Sequence, residues 1–214
     1  LKRGFEHFIY RELTLLEKDG ARISVFPTKV GQGLYGPRPS WNFFPWTTVA
    51  VLWANIMCAL TRPALYFRLL VEAIQFAALV DFVLAVNFSR HMDNVNVLYA
   101  TFGDRKLFVA YFCKRLSRLP LVCTIHAYEI YQNPNPKLFA HVLPFVDQVI
   151  TVSQYNFQQL KERYDVEADD LALVRCCIDT QEYRPQQKFK ILIVGFFAER
   201  KGHEILFQAI KQLA

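Results

Sequence analysis

The sequence predicts an α/β fold in which a parallel sheet is flanked by helices. Short runs of β-branched and apolar residues, such as 121–125 and 148–152, have the length of buried strands. Segments with apolar residues at helical spacing lie between these runs. Strands that alternate with helices in this way form parallel βαβ units.

The first part of the chain predicts one αβ step followed by a long helical region. Gly20 ends the first helix in the manner of a C-cap, Pro27 stops the strand after it, and Pro63 breaks the helical region. In chain order the predicted elements are a helix at 6–18, a strand at 22–26, a glycine- and proline-rich loop at 31–39, and an aromatic-rich helical region at 47–86 broken at 61–63.

The second part predicts repeated strand and helix pairs. Strands are expected at 94–100, 121–125, 148–152 and 171–175, with helices at 105–117 and 154–164. Ser153 is placed as the N-cap of the second of these helices. The polar segment 180–188 reads as a linker, and 189–194 is the clearest buried strand of the chain, followed by a helix to residue 214. We therefore place a domain boundary near residue 186, with 1–186 as one domain and 187–214 as the start of a second Rossmann-type domain.

Charge and cysteine content limit the class of partner. The net charge of +6 and the pI near 9.1 fit an anionic partner, such as a nucleotide diphosphate, an anionic membrane surface or a nucleic acid. The basic residues are scattered and accompany neither zinc-finger spacing nor RNP aromatics, so no nucleic acid is expected. Five cysteines without a CxxC spacing indicate reduced thiols in a cytosolic compartment.

No transmembrane helix is expected. The longest apolar tract, 69–86, is interrupted by Glu72, Gln75 and Asp81. An amphipathic helix lying on a membrane surface stays open as an alternative, because Arg62 and Arg68 flank aromatic side chains in this region.

His126 is the first candidate for chemistry. It follows the predicted buried strand 121–125 directly, and ligands of open α/β sheets bind at the carboxyl ends of strands. Histidine can donate, accept or carry a proton near neutral pH. The alternative is a histidine that only caps the strand, and the local sequence leaves both readings open.

Five ordered motifs resemble one enzyme family. They are FGD at 102–104, TIHAYEIY at 124–131, D-x-V-I-T-V-S at 147–153, I-D-T-x-x-Y-x-P at 178–185 and I-V-G-x-x-x-x-R-K-G-H-E at 193–204. Together with the opening FEHFIYREL they resemble the retaining GT-B glycosyltransferases of family four. Within that family they are most similar to the enzymes of exopolysaccharide, colanic-acid and lipopolysaccharide assembly. Each motif alone is weak, but their order spans nearly all of the chain.

The resemblance implies two facing Rossmann-like domains, with an acceptor side in 1–186 and a nucleotide-sugar side that begins at 187–214. Relative to the family, the first domain lacks its opening strand and the second has only its first βα unit. The implied reaction moves a sugar from a nucleotide-diphosphate sugar to a polysaccharide or lipid-linked acceptor with retention of configuration. It implies no metal or other cofactor, and a cytoplasmic protein in peripheral contact with the inner membrane face.

The same resemblance assigns roles to four residues. His126 matches the active-site histidine that approaches the transferred sugar. Lys201 matches the lysine that contacts the donor diphosphate; without the motif, the alternative is a solvated lysine in the first turn of a helix. Arg200 beside it either assists as a second cation or only faces water. Gly4 aligns with the loop near the donor phosphates.

Asp104, Tyr128 and Glu129 are the candidates for acceptor binding, since they lie just past adjacent strand ends. For Asp104 the alternative is an N-cap of the helix that follows it, and Tyr128 could stack on a sugar or only close the loop.

Two departures from the family motivate a second hypothesis. Phe196 stands where the family usually has an arginine, and Cys177 stands where it usually has a glycine. The alternative function is therefore a non-catalytic GT-B-type domain that acts as a membrane-associated binding or assembly module. A dehydrogenase is poorly supported, because no G-x-G-x-x-G follows any predicted strand.

Overall fold

The computed structural model divides the chain into two compact units, Leu1–Cys176 and Cys177–Ala214. It describes residues 4–29, 34–175 and 202–213. The predicted boundary near residue 186, the linker 180–188 and the strand 189–194 all lie outside the described residues, and they stay predictions.

The described elements confirm the α/β fold with a parallel sheet. The strands are β1 (Ser24–Val25), β2 (Asn42–Phe43), β3 (Leu98–Ala100), β4 (Leu121–Ile125), β5 (Gln148–Thr151) and β6 (Leu171–Leu173). The helices are α1 (His7–Lys18), α2 (Thr48–Thr61), α3 (Pro63–Gln75), α4 (Leu79–Ser89), α5 (Arg105–Ser117), α6 (Ala127–Tyr131), α7 (Pro136–Val142), α8 (Gln154–Tyr164) and α9 (His203–Leu213), with a 3-10 turn at Leu143–Phe145. The first unit contains all of these except α9.

The main sheet has the order β3-β4-β5-β6, and every pair in it is parallel. Alternate residues of a strand point to opposite faces. Leu98 and Ala100 are therefore buried on the face that packs against α5, while Tyr99 points to the other face and donates a hydrogen bond to Glu12 of α1 (2.8 Å). Helices consequently cover both faces, and the carboxyl ends of all four strands lie at one edge.

A stack of helices lies on the α5 side of the sheet. Helix α4 packs on α5, and α2 and α3 both pack on α4. Helix α4 is apolar around most of its circumference, which suits a helix buried between two layers. The α2–α3 hairpin is therefore the outer layer of this stack.

The helical region 47–86 consists of three helices where the sequence predicted one break. Pro63 begins α3 as predicted. The second break, at 76–78, was missed because it has no glycine or proline and instead places Ala77 at a φ of 52°. None of the described helices is both long and apolar enough to cross a membrane.

Several predicted strands are shorter in the structure, and one strand was missed. The predicted strand 22–26 is confined to Ser24–Val25, and 171–175 to Leu171–Leu173. The predicted strand 94–100 is confined to Leu98–Ala100, because its partner β4 begins only after Pro120, whose carbonyl accepts from the Leu98 N–H (2.8 Å). Strand β2 was not predicted, since Asn42–Phe43 is too short to produce a periodic pattern. The helices 105–117 and 154–164 have the predicted bounds, and Ser153 is the N-cap of the second, as predicted.

Asn55 joins the three helices of the stack. Its side-chain amide donates to the carbonyls of Val51 in α2 (2.8 Å) and Val83 in α4 (3.0 Å), and its carbonyl oxygen accepts from the Tyr66 hydroxyl of α3 (3.3 Å). The side chain is almost fully buried. A buried amide with all of these bonds fixes the position of the hairpin on α4.

We expect Asn55→Ala to lower the free energy of unfolding by about 1–3 kcal/mol, because it removes these bonds and leaves the Tyr66 hydroxyl without its partner. Denaturant unfolding measures this. Gln75→Ala, on the exposed side of α3, is the control and should change stability by less than about 0.5 kcal/mol. Equal effects of the two substitutions would contradict the role given to Asn55.

Candidate active site

The candidate site lies where β3 and β4 end side by side. The turn 101–104 follows β3, and His126 follows β4. Because β3 and β4 are neighbours in a parallel sheet, these segments come together at its carboxyl edge. The Thr151 hydroxyl, at the end of β5, donates to the Ile125 carbonyl (3.0 Å) and so fixes the backbone just before His126.

Gly103 is held from three directions. Its N–H donates to Oε1 of Glu129 (3.1 Å), and its carbonyl accepts from Nδ2 of Asn133 (2.9 Å). A Cβ at Gly103 would lie only 2.8 Å from the Phe139 ring. The turn after β3 therefore requires glycine at position 103. Helix α6 and the loop that follows α6 hold this turn in place.

Glu129 is fully buried beneath this turn. Burial raises the pKa of its carboxyl, and the N–H groups of Glu129 itself and of Gly103 partly offset this rise. Within the described part of the chain, its second oxygen has no hydrogen-bond partner. Such a position does not fit the predicted contact between Glu129 and an acceptor. Glu129 instead supports the loop that carries Phe102 and Asp104.

His126 lies half-buried between two aromatic side chains. The ring centroid of Phe102 is 4.8 Å from that of His126, and the centroid of Phe8 in α1 is 5.4 Å away. Burial lowers the pKa of His126, a hydrogen bond to the Thr101 backbone opposes this, and the Lys106 charge lowers the pKa further. Burial therefore favours the neutral imidazole over the imidazolium.

Asp104 is the N-cap of α5, which is the alternative that the sequence left open. Its carboxylate accepts from the Lys106 backbone N–H (3.0 Å) and also pairs with the Lys106 ammonium (2.8 Å). Both interactions stabilise the helix start, so the carboxylate is engaged within α5.

Lys106 is a site residue that the sequence reasoning missed. Its ammonium lies 4.4 Å from the centroid of the Phe102 ring, and its charge acts on His126. The available signal was electrostatic: Arg105 and Lys106 place two cations in the first turn of a helix, where the macrodipole disfavours them. Cations at such a position need carboxylate partners or a function.

The other candidates fall at the edge of the site or beyond the described residues. Tyr128 lies in α6 with more than half of its side chain exposed, and its ring is free to meet a ligand. Gly4 precedes α1 with a φ of 79°, and the next N–H, of Phe5, donates to the Tyr35 carbonyl (2.7 Å). Arg200 and Lys201 lie outside the described residues.

The arrangement suits recognition of a sugar more than nucleophilic catalysis. A neutral imidazole between aromatic rings can exchange hydrogen bonds with hydroxyl groups, and aromatic faces pack on sugar rings. Among the described residues, no group of three His, Cys, Asp or Glu side chains is placed to hold a metal ion.

Residues 3–182 match the family model described as Glycosyltransferase Family 4. No curated protein matches the chain. The matched range includes His126, the turn at Gly103 and Gly4.

We expect Gly103→Ala to destabilise the protein by about 1–3 kcal/mol, because the new methyl group would overlap the Phe139 ring. Thermal or denaturant unfolding measures this. Gly36→Ala is the matched control, since a Cβ at Gly36 meets no atom within 4 Å. Equal stability of the two variants would contradict the tight packing of the turn.

We expect Lys106→Met to raise the pKa of His126, because it removes a positive charge that disfavours the imidazolium. NMR titration of the histidine ring measures this, with His126→Gln to identify the resonance. Lys161→Met in α8 is the control and should leave the midpoint unchanged. In the unsubstituted protein, His126 should titrate below pH 6.5, and an unshifted midpoint would contradict its burial.

Proposed function

We propose that this chain, which belongs to glycosyltransferase family 4, moves a hexose from a nucleotide-diphosphate sugar to a polysaccharide or lipid-linked acceptor. Membership of this family supports glycosyl transfer as the general reaction. The observation that supports the location of the chemistry is His126, which lies half-buried at the carboxyl end of β4 and whose pKa is lowered by burial.

The transferred sugar lies against His126 in this proposal. With one ring nitrogen bound to the Thr101 backbone, the other nitrogen of the imidazole faces the sugar and forms a hydrogen bond with one of its hydroxyls. This contact orients the anomeric carbon as its bond to the diphosphate breaks and positive charge develops there. Phe102 and Phe8 exclude water from one side of the ring.

The donor diphosphate is bound by cations and backbone amides. From the resemblance to the family, Lys201 and Arg200 are the proposed cations for the charge of the leaving group. Gly4 is the candidate of the first unit for a phosphate contact, because its backbone before α1 can approach a phosphate without a Cβ in between. The new bond forms on the same face of the sugar, so configuration is retained. No metal takes part in this scheme, because the cations supply the stabilisation of the leaving group.

The acceptor enters over α6. Tyr128 is exposed there and offers an aromatic face to a sugar ring. Lys106 and Asp104 present an ion pair at the neighbouring strand end, where hydroxyl groups of a glycan can exchange hydrogen bonds with it. The non-catalytic alternative rested on Phe196 and Cys177, both outside the described residues, and no observation on the described residues favours it.

We expect His126→Ala to abolish sugar transfer while the protein stays folded, because the imidazole contact is lost and the ring is only half-buried. A panel of nucleotide sugars, assayed for transfer and hydrolysis by the 214-residue chain, measures this. His91→Ala, an exposed histidine after α4, is the control and should keep full activity.

Two results would overturn the proposal. Full turnover by His126→Ala would contradict the location of the site, and absence of nucleotide-sugar binding in titration calorimetry would contradict the activity. Circular dichroism of each variant separates a lost contact from a lost fold.

A further inference from the structure

Helix α2 exposes an apolar face. Five large side chains of this helix are each more than half exposed: Val49, Leu52, Trp53, Ile56 and Leu60. At 100° per residue these positions fall within one stripe about 100° wide along the helix. The opposite side of α2, with the buried Ala54 and Asn55, faces the rest of the helical stack.

Helix α3 continues this face. Phe67, Val71 and Ile74 are also more than half exposed, and their spacing places them on one side of the helix. Both helices pack on α4 through their other sides. We call the exposed side chains 49–60 of α2 and 67–74 of α3 together the hairpin face.

The charge around the hairpin face has one sign. No Asp or Glu occurs between Asp19 and Glu72, whereas Arg62 and Arg68 lie in this interval. Helix α2 has no charged residue at all. The exposed side of a helix in a water-soluble protein normally carries charges, so an uncharged apolar side of this extent marks an interaction surface.

A basic cleft adjoins the hairpin face at the α2–α3 turn. Its volume is about 580 Å³, and four arginines line it: Arg62, Arg68, Arg115 and Arg118. The first turn of α3, at Pro63–Leu65, also lines it, and the backbone N–H groups of Ala64 and Leu65 there have no partners within the helix. Leu60 of the hairpin face lies two residues before Arg62 in the chain, and Phe67 of the same face directly precedes Arg68.

The arginines of the cleft have little negative charge to neutralise them. Arg115 pairs with Glu72 (3.7 Å), and Arg62 donates to the Leu116 carbonyl (3.3 Å). Among the described residues, no carboxylate pairs with Arg62, Arg68 or Arg118. The cleft is therefore able to take up an anionic group.

We propose that the hairpin face docks on an anionic lipid surface, with the basic cleft binding the phosphate of a lipid headgroup. Helices of 14 and 13 residues are too short to span a bilayer, so the hairpin would lie in the membrane plane. Exposed Trp53 and Phe67 suit the boundary between headgroups and acyl chains.

Charge complementarity favours a lipid surface over a second copy of the chain. A second copy that docked through the same face would bring no carboxylate to Arg62, Arg68 or Arg118, because this face has none. An anionic membrane supplies both an apolar layer for α2 and α3 and phosphate groups for the arginines. The inference stands apart from sugar transfer, since docking needs neither donor nor acceptor.

Vesicle co-sedimentation of the 214-residue chain tests the proposal. We expect binding to vesicles of phosphatidylcholine with phosphatidylglycerol, and much weaker binding to vesicles of phosphatidylcholine alone. Replacing Arg62, Arg68 and Arg118 together by Gln should weaken binding by about fivefold per arginine. The control for lost charge is a variant with Gln in place of Lys137 and Lys161, which are both exposed and distant in sequence from the hairpin. This variant should bind vesicles as strongly as the parent protein does.

A second pair of variants tests the apolar contact. Leu52→Ser with Ile56→Ser should weaken vesicle binding at least tenfold, whereas Leu15→Ser with Leu16→Ser, two exposed leucines of α1, should not. Trp53 reports insertion directly: its fluorescence should shift to the blue on anionic vesicles, and Trp53→Phe should remove the shift. Trp41, the buried indole, should not respond.

Several outcomes would overturn the inference. These are no binding to anionic vesicles, equal binding to neutral ones, or equal losses in the control variants. A concentration-dependent dimer that is broken by Leu52→Ser with Ile56→Ser, without vesicle binding, would assign the face to a second copy. Since no assay here uses a sugar, vesicle binding without transfer would leave this inference standing and remove only the proposed function.

Discussion

The close packing at Gly103 is the constraint on which the site depends. Its missing side chain lets the turn after β3 lie against Phe139, while Glu129 and Asn133 hold its N–H and its carbonyl. This places Phe102 beside His126 at the adjacent strand end. Phe102 and His126 of the candidate site thus owe their positions to buried groups beneath them, and Glu129 belongs to that supporting layer.

Helix α5 connects the candidate site to the basic cleft within the first unit. Its first turn carries Arg105 and Lys106 against the helix dipole, and each is paired with a carboxylate, Asp81 of α4 and Asp104 respectively. Its last turn and C-cap bring Arg115 and Arg118 to the basic cleft. A helix of 13 residues is about 20 Å long, so the cleft and the candidate site lie at opposite ends of the same rigid element.

The helical stack explains how an apolar outer face coexists with a stable fold. Helix α4 takes the core side of α2 and α3, and Asn55 fixes them with hydrogen bonds that water would otherwise satisfy. The hairpin face is therefore not needed for the core, and its apolar side chains are left for an external partner. If the acceptor of the proposed reaction is lipid-linked, docking through the hairpin face would bring the candidate site to the surface that holds this acceptor.

The sequence by itself determined the α/β class, the bounds of α5 and α8, the N-cap at Ser153 and the position of His126 at a strand end, because periodicity and capping are local signals. It did not determine the break at Ala77, the strand β2, the burial of Glu129 or the approach of Lys106 and Phe8 to His126. Those features arise from contacts between residues far apart in the chain. Which apolar helical residues are exposed was likewise decided only by packing, because one helix pattern has two candidate faces until α4 covers one of them.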